Sequence, residues 1–297
     1  MIVWRESTKP GVAEVGIQKG DEEPTLLTFD KVDIKNPKTD HSGSVVAFER
    51  RGDSDKDWDI YRLGPTDQKA SVVIDTPGES IEFDLSSDGT KIVSSYQSGR
   101  IDLWEDGRGT RPITSDDETH GNPRISGDGD TAFYVKYGSS PNDPTEIWLQ
   151  ETDGSAKPVV YETDGNADPI YRNSIDTNED ASVLAWSQRT EDGQMEVWRW
   201  NLENSHKEQL GEAFLAGQVV VSQDGTATAW SEVTRKEGGG WASELHWQRG
   251  EDERIIASDT AGHNLDPSLS ADGNTLVWMM QYQGQAKPNE IRRVVLD

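Results

Sequence analysis

Residues 267–280, PSLSADGNTLVWMM, join a strand end of small residues, an Asp272-Gly273 turn and a short apolar run. The pattern recurs along the chain. EFDLSSDGTKIVSSYQ (82–97), NPRISGDGDTAFYVKY (122–137) and QVVVSQDGTATAWSEV (218–233) align with DPSLSADGNTLVWMMQ (266–281) without gaps around the Asp-Gly. NPKTDHSGSVVAFERR (36–51), with Ser42-Gly43 at the turn, and SIDTNEDASVLAWSQR (174–189), with Asp180-Ala181, complete six copies. Asp-Gly supplies the positive φ that a tight hairpin requires, so these residues are read as architecture first.

Each copy is an inner strand, the turn and an apolar second strand. A polar loop then leads to a third strand opened by an acid: Asp59, Asp102, Glu146, Glu196, Glu244 or Glu290. A short outer strand such as RIIASD follows, and the next copy begins. The spacing of roughly 40 to 52 residues is that of one four-stranded propeller blade. At the N-terminus IVWRES, AEVGIQKG and PTLLTFD match strands two to four of a blade with the first missing. At the C-terminus EIRRVVLD is a third strand with no fourth.

Central hairpins fall at 2–20, 45–64, 91–107, 131–154, 183–203, 226–250 and 275–297. They predict an all-β fold, a seven-bladed β-propeller of four-stranded blades with the first and last incomplete, as a single domain over 1–297. A six-bladed ring whose terminal strands share one blade is the alternative. Each blade has two apolar faces that must press on neighbours, which ring closure satisfies without capping repeats.

Composition agrees with this reading. Of 297 residues 32% are hydrophobic, and they sit in short clusters rich in Val, Ile, Trp and Tyr instead of long helical runs. The absence of Cys excludes disulfides and thiolate metal sites and leaves the compartment open. With 55 acidic against 29 basic residues and a net charge of -26, Coulomb repulsion opposes phosphate backbones and anionic lipid, so no nucleic-acid partner is expected. The acidity suits solubility, a salt-rich setting or a basic partner. No apolar stretch approaches the ~18 residues of a membrane span, and MIVWRESTKP lacks the pattern of a signal peptide.

Ser86-Ser87-Asp88-Gly89, Ser126-Gly127-Asp128-Gly129, Ser222-Gln223-Asp224-Gly225 and Ser270-Ala271-Asp272-Gly273 resemble the Ser-Pro-Asp-Gly turn of the TolB-type, WD-like propeller repeat. The family's Pro is replaced in every copy, and the N-terminal α/β domain of a TolB protein has no counterpart here. The resemblance is therefore to the repeat type. It implies three kinds of function: a periplasmic protein binding envelope partners, a non-catalytic gating propeller of a prolyl-oligopeptidase-like enzyme, or a metal-dependent oligogalacturonate lyase. It also favours a periplasmic or extracellular location.

In such blades the loops between strands two and three share one face with the inter-blade loops, opposite the Asp-Gly turns. DDETHGN (116–122), TDGNADP (163–169) and DTAGHNLDP (259–267) would converge on the channel mouth and bring His120, His263, Asn166, Asp168, Asn264 and Asp266 together. Imidazole with carboxylate suits Zn or Mn, and carboxylate with amide oxygen suits Ca. The same Asn and Asp residues serve equally well as caps of loop backbone. His41, His206 and His246 fall away from this mouth, in turns of the opposite face and in a strand.

Two acidic strings, DSDKDWD (53–59) and DTNEDAS (176–182), look like calcium loops but lack the Gly and Glu of an EF-hand, and read as solvated turns. Trp4, Trp186, Trp230 and Trp278 recur in second strands and Trp104, Trp148, Trp198, Trp200 and Trp247 in third strands, which marks them as packing. Trp58 and Trp241 sit in long loops and are candidates for ligand contact, or for folding back on their own blades.

No nucleophile elbow, zincin, phosphate-loop or Cys-nucleophile motif is present. The sequence therefore reads as a non-catalytic binding scaffold for a protein or glycan. The alternatives are a lyase or hydrolase using a divalent cation at the mouth, and an assembly module working through the open strand edges. No cofactor is expected beyond that cation.

Overall fold

A computed structural model describes the chain apart from residues 10–11, 28–31, 52–56, 76–79, 97, 115–117, 139–144, 162–169, 191, 236–238, 261, 283–288 and 297. Among the described residues all regular structure is β, in seven antiparallel sheets. Blade 1 has three strands, β1 (Ile2–Lys9), β2 (Val12–Gln18) and β3 (Thr25–Leu26). Blade 2 comprises β4 (Ile34–Thr39), β5 (Val46–Arg51), β6 (Trp58–Leu63) and β7 (Ser71–Ile74). Blade 3 comprises β8 (Ser80–Leu85), β9 (Lys91–Tyr96), β10 (Ile101–Glu105) and β11 (Gly109–Pro112).

Blade 4 is built from β12 (Thr119–Ile125), β13 (Thr131–Tyr137), β14 (Glu146–Glu151) and β15 (Ala156–Tyr161). Blade 5 is built from β16 (Ile170–Thr177), β17 (Val183–Arg189), β18 (Met195–Asn201) and β19 (His206–Ala213). Blade 6 follows with β20 (Leu215–Val221), β21 (Ala227–Arg235), β22 (Trp241–Arg249) and β23 (Asp252–Asp259). Blade 7 ends on three strands, β24 (Gly262–Leu269), β25 (Thr275–Tyr282) and β26 (Glu290–Val295). The fold is a seven-bladed β-propeller with the first and last blades one strand short.

The corner between first and second strands is built the same way in blades 3, 4, 6 and 7. The hydroxyls of Ser86, Ser126, Ser222 and Ser270 donate to the carboxylates of Asp88, Asp128, Asp224 and Asp272 at 2.5–2.7 Å. Each hydroxyl also accepts the backbone N–H five residues on, from Lys91, Thr131, Ala227 and Thr275. The glycine after each Asp has positive φ and donates its N–H to the serine carbonyl. In blade 5 Asn178 replaces the serine and Ala181 the glycine, at φ +59.

These corners also join blades. The two compact units, Met1–Tyr137 with Trp148–Lys157 and Gly138–Ile147 with Pro158–Asp297, show it separately. In the first unit a Cβ on Gly89 would lie 2.8 Å from Val45 of the preceding blade, and one on Gly129 2.9 Å from Lys91. His41 N donates to Ser87 O and Ser87 N to Gly127 O, both at 2.8 Å, and Arg62 Nε donates to Gly89 O at 2.9 Å. Ala47, Ile60 and Ile74 of blade 2 bury against Phe83, Ile92, Tyr96 and Trp104 of blade 3.

In the second unit Gly225 closes on Asn178 and Val183, and Gly273 on Ala227. Arg199 donates to Gly225 O at 2.6 Å and Trp247 Nε1 to Gly273 O at 3.1 Å. Val183, Ala185, Met195 and Val197 of blade 5 pack on Ala216, Val219, Val221 and Trp230 of blade 6. Ala227, Ala229, Leu245 and Trp247 then pack on Leu276, Trp278 and Leu296 of blade 7.

Every inner strand from β4 onward carries a register shift, and in three of them, at Lys35/Lys38, Gly121/Arg124 and Leu265/Ser268, it falls at the same height. At those three shifts Asn36, Asn122 and Asp266 have positive φ and each precedes a proline. Asn and Asp tolerate this backbone region, and proline cannot donate to the ladder, so the dipeptide bends the strand where pairing lapses.

Two predictions follow from the corners. Gly89→Ala meets both a positive φ, which costs about 1–2 kcal/mol for a residue with a Cβ, and the Val45 side chain, so thermal unfolding shifts down by several degrees. Ala181→Gly removes the same strain and raises the midpoint; equal melting of Gly89→Ala and parent would refute the corner's role. The second concerns acid. The Ser270 hydroxyl, then the Asn274 backbone and side chain, hold the Asp272 carboxyl down at about 2. Its contribution to stability is complete above the ordinary Asp value of 3.8 and is lost as pH falls towards about 2. Denaturant midpoints at pH 5 and pH 3 should therefore differ less in Asp272→Asn than in the parent.

Candidate functional site

The residues expected at the channel mouth have separate fates. His120, on β12, is 4% exposed, its Nδ1 lies 3.0 Å from Gly99 O, and its ring meets Tyr134 edge-on at 5.3 Å. Asn264, on β24, is 1% exposed: its amide donates to Ser243 O at 2.8 Å and its oxygen accepts Trp278 Nε1 at 3.0 Å. Both polar side chains are spent on tying one blade to the next hairpin or strand. His263 is half-buried opposite Gln281, and Asp266 keeps solvent contact while desolvation pushes its carboxyl up. Asn166 and Asp168 lie outside the described residues.

The acidic strings divide similarly. Asp53 and Asp55 lie outside the described residues, whereas Asp59 is buried in β6 opposite Arg50. Asp176 accepts Val221 N of the next blade at 2.8 Å, while Asn178 and Asp180 bond to each other within the blade 5 corner. Among the described residues, no set of three or more His, Asp or Glu side chains is closed around a metal-sized centre.

The loop placement of Trp58 and Trp241 needs correction, because each opens a strand. Flanking Asp, Lys and Gly residues read as loop, yet β6 starts at Trp58 and β22 at Trp241, where cross-strand pairing with Arg51 and Arg235 already holds. Trp58 is 8% exposed and covered by Lys35 Nζ at 4.5 Å and Arg51 at 5.3 Å. Trp241 is 45% exposed and lies 4.5 Å from the ring of Phe214, itself 54% exposed. Leu215, also exposed, adjoins Phe214 in the chain.

Phe214 sits between β19 and β20, in the connection from blade 5 to blade 6, and Trp241 stands at the head of the long hairpin of β21 and β22. An inter-blade connection and a second-to-third-strand hairpin thus present one aromatic patch on the face opposite the corners. Sequence reasoning missed Phe214. Its signal was the apolar pair Phe214-Leu215 in a connection too short to bury it.

No protein-family model matches the sequence, and no curated protein does. Solved structures do match in fold. An oligogalacturonate lyase from Vibrio parahaemolyticus superposes with a TM-score of 0.65 at 11% identity, covering 95% of this chain and 83% of the lyase. TolB from Acinetobacter baumannii gives 0.59 at 16% identity, covering 98% of this chain and 64% of TolB. A chain of the mitotic checkpoint complex gives 0.61 at 13% identity, covering 95% and 82%. At these identities the likeness is one of fold, the β-propeller.

The buried and exposed candidates should separate in mutants. His120→Ala leaves a cavity and removes the side-chain contact with Gly99 O, which keeps the His120 backbone N–H, and is expected to cost about 2–3 kcal/mol. Trp241→Ala removes a surface contact worth no more than about 1 kcal/mol. Chemical denaturation of the two variants checks this, and equal losses would contradict the assignment.

Proposed function

We propose that the whole chain acts as one propeller domain and as a non-catalytic binding scaffold. It engages a protein or glycan partner through the face opposite the corners. The observation that carries this reading is the exposed Phe214–Trp241 pair with Leu215 beside it. Large aromatics are costly to leave in water and are the usual anchors of a recognition surface. A net charge of -26 favours a partner with a basic rim. TolB and the checkpoint-complex propeller support a binding role by fold analogy alone.

The metal-dependent enzyme reading centres on His120, whose Nδ1 faces the Gly99 carbonyl, and on the half-buried His263, and draws otherwise on fold likeness to the lyase. The strand-edge reading has an observation of its own. β26 pairs with β25 along one edge, and its Ile291 and Val295 are 46% and 57% exposed. Light scattering on Ile291→Lys and Val295→Lys variants would show whether self-association depends on that edge.

Glycan and protein arrays probed with parent and with the Phe214→Ala/Trp241→Ala double variant test the scaffold reading. A ligand held by the parent should bind the double variant at least ~10-fold more weakly, with both proteins melting alike. Cleavage of oligogalacturonate in the presence of Mn2+, or binding indifferent to the double substitution, would overturn it.

A further inference from the structure

Blades 5 and 6 have matching registers, so their side chains can be compared place by place. In blade 5 Trp186 faces Trp198, Gln188 faces Glu196, and Lys207 lies opposite Trp200 on the outer strand. Donors and acceptors balance there. Trp186 Nε1 donates to Gln188 Oε1 at 2.7 Å, and Gln188 Nε2 and Trp198 Nε1 donate to one Glu196 oxygen at 3.1 and 2.8 Å. The two indoles stack at 6.3 Å, and Lys207 Nζ sits 4.8 and 4.5 Å from their rings. The group thus holds one carboxylate and an ammonium of its own. In blade 6 the same places hold Trp230 and His246, Glu232 and Glu244, and Glu253 opposite Gln248. An amide, an indole N–H and an ammonium, all donors, give way to a carboxylate, an imidazole and a second carboxylate.

The aromatic pair is kept while the charge around it is inverted. His246 stacks on Trp230 at 5.1 Å, is 8% exposed, and neither of its ring nitrogens makes a hydrogen bond. Nε2 lies 3.5 Å from Glu232 Oε2 and 3.7 Å from Glu244 Oε2, and Nδ1 lies 3.8 Å from Glu253 Oε1. Trp230 and Ser258 donate to the other oxygens of Glu232 and Glu244. Among the described residues no Lys or Arg forms an ion pair with any of the three acids. Burial pushes the Glu232 carboxyl up, an effect offset by His246 and the Trp230 hydrogen bond and reinforced by Glu244 and Glu253. A cation brought to the cluster relieves this crowding of negative charge.

We propose that the outer side of blade 6 binds the ammonium group of a lysine side chain carried by a protein partner, over the Trp230–His246 stack and between Glu244 and Glu253. It is the place that Lys207 takes in blade 5. An ammonium brings three donors, and carboxylate oxygens together with the unprotonated nitrogen of an imidazole are acceptors for them. Such charge-assisted bonds are the stronger kind, and an indole face adds its own attraction for a cation. The buried, unbonded His246 aims one nitrogen at Glu244 and the other at Glu253, so all three meet at one head group. Access is from the outer strand. The Glu253 side chain is 54% exposed, and Ile255, opposite His246, is 57% exposed and offers apolar surface to a lysine's methylene stem. Since it names a group that the partner presents, the site rests on the scaffold reading.

The full chain is titrated at physiological salt with an end-blocked Gly-Lys-Gly peptide and with the same peptide acetylated on the lysine nitrogen, following the Trp230 indole N–H by NMR. The free lysine peptide should shift that resonance and bind at least ~10-fold more tightly than the acetylated one. Glu244→Gln/Glu253→Gln should lose the difference. Glu23→Gln/Glu203→Gln, which removes equal charge from exposed positions elsewhere, should keep it. Glu253→Lys supplies the ammonium within the chain, as blade 5 does, so it should raise the denaturation midpoint and abolish peptide binding. Equal affinity of the parent for the two peptides, or parental affinity in Glu253→Lys, would overturn the proposal. The scaffold reading fails separately: arrays without a ligand sink it while the lysine peptide is still held, and array ligands that depend on Phe214 and Trp241 sustain it even where the peptide is not held.

Discussion

The structure depends on one hydrogen-bonded corner, in which a serine hydroxyl is shared between an aspartate and the backbone and a glycine closes the turn. A four-stranded antiparallel blade has two apolar faces and no core of its own, so it is stable only when both are covered. The corner is where covering becomes specific. Its glycine has the backbone conformation that the turn requires and lacks the Cβ that would strike the preceding blade. Its carbonyl accepts a side chain from that blade, as Gly89 does from Arg62. Turn geometry and blade registration are thus met by the same residue, and a fault in one is a fault in both.

This explains why so much of the fold was legible in the sequence and where legibility stopped. Six corners spaced by a blade length gave the fold class, and the incomplete ends gave the three-stranded sheets of blades 1 and 7. The inner-strand bulges went unread although Asn36-Pro37, Asn122-Pro123 and Asp266-Pro267 stand at the head of three aligned copies; an Asx-Pro pair inside a repeat is their signal. His120 and Asn264 look like mouth ligands by composition, but only tertiary contacts reveal that Gly99 and Ser243 already engage them. His246 was passed over as a strand residue. Periodicity shows that a position faces a neighbouring blade, whereas the cross-strand register decides that Glu232 and Glu244 share its face.

Departures from the repeat are more informative about function than the repeat itself. Positions filled by aromatics in several blades are explained by packing, as with the stacked Trp186 and Trp198. The exceptions gather around blades 5 and 6: the exposed Phe214 and Trp241, the longest hairpin of the chain, and the exchange of a self-neutralised group for one imidazole among acids. Repeat proteins free individual units for specialisation because their neighbours preserve the scaffold.

The corner glycines also have a direction. Gly89 rests on blade 2, Gly129 on blade 3, Gly225 on blade 5 and Gly273 on blade 6, always on the blade made earlier. A chain leaving the ribosome therefore presents each of these glycines to a surface that has already emerged, while the corner's own N–H groups, such as Ser87 N to Gly127 O, are met when the next blade arrives. Growth by addition to a finished edge limits how long any blade exposes its apolar faces during synthesis.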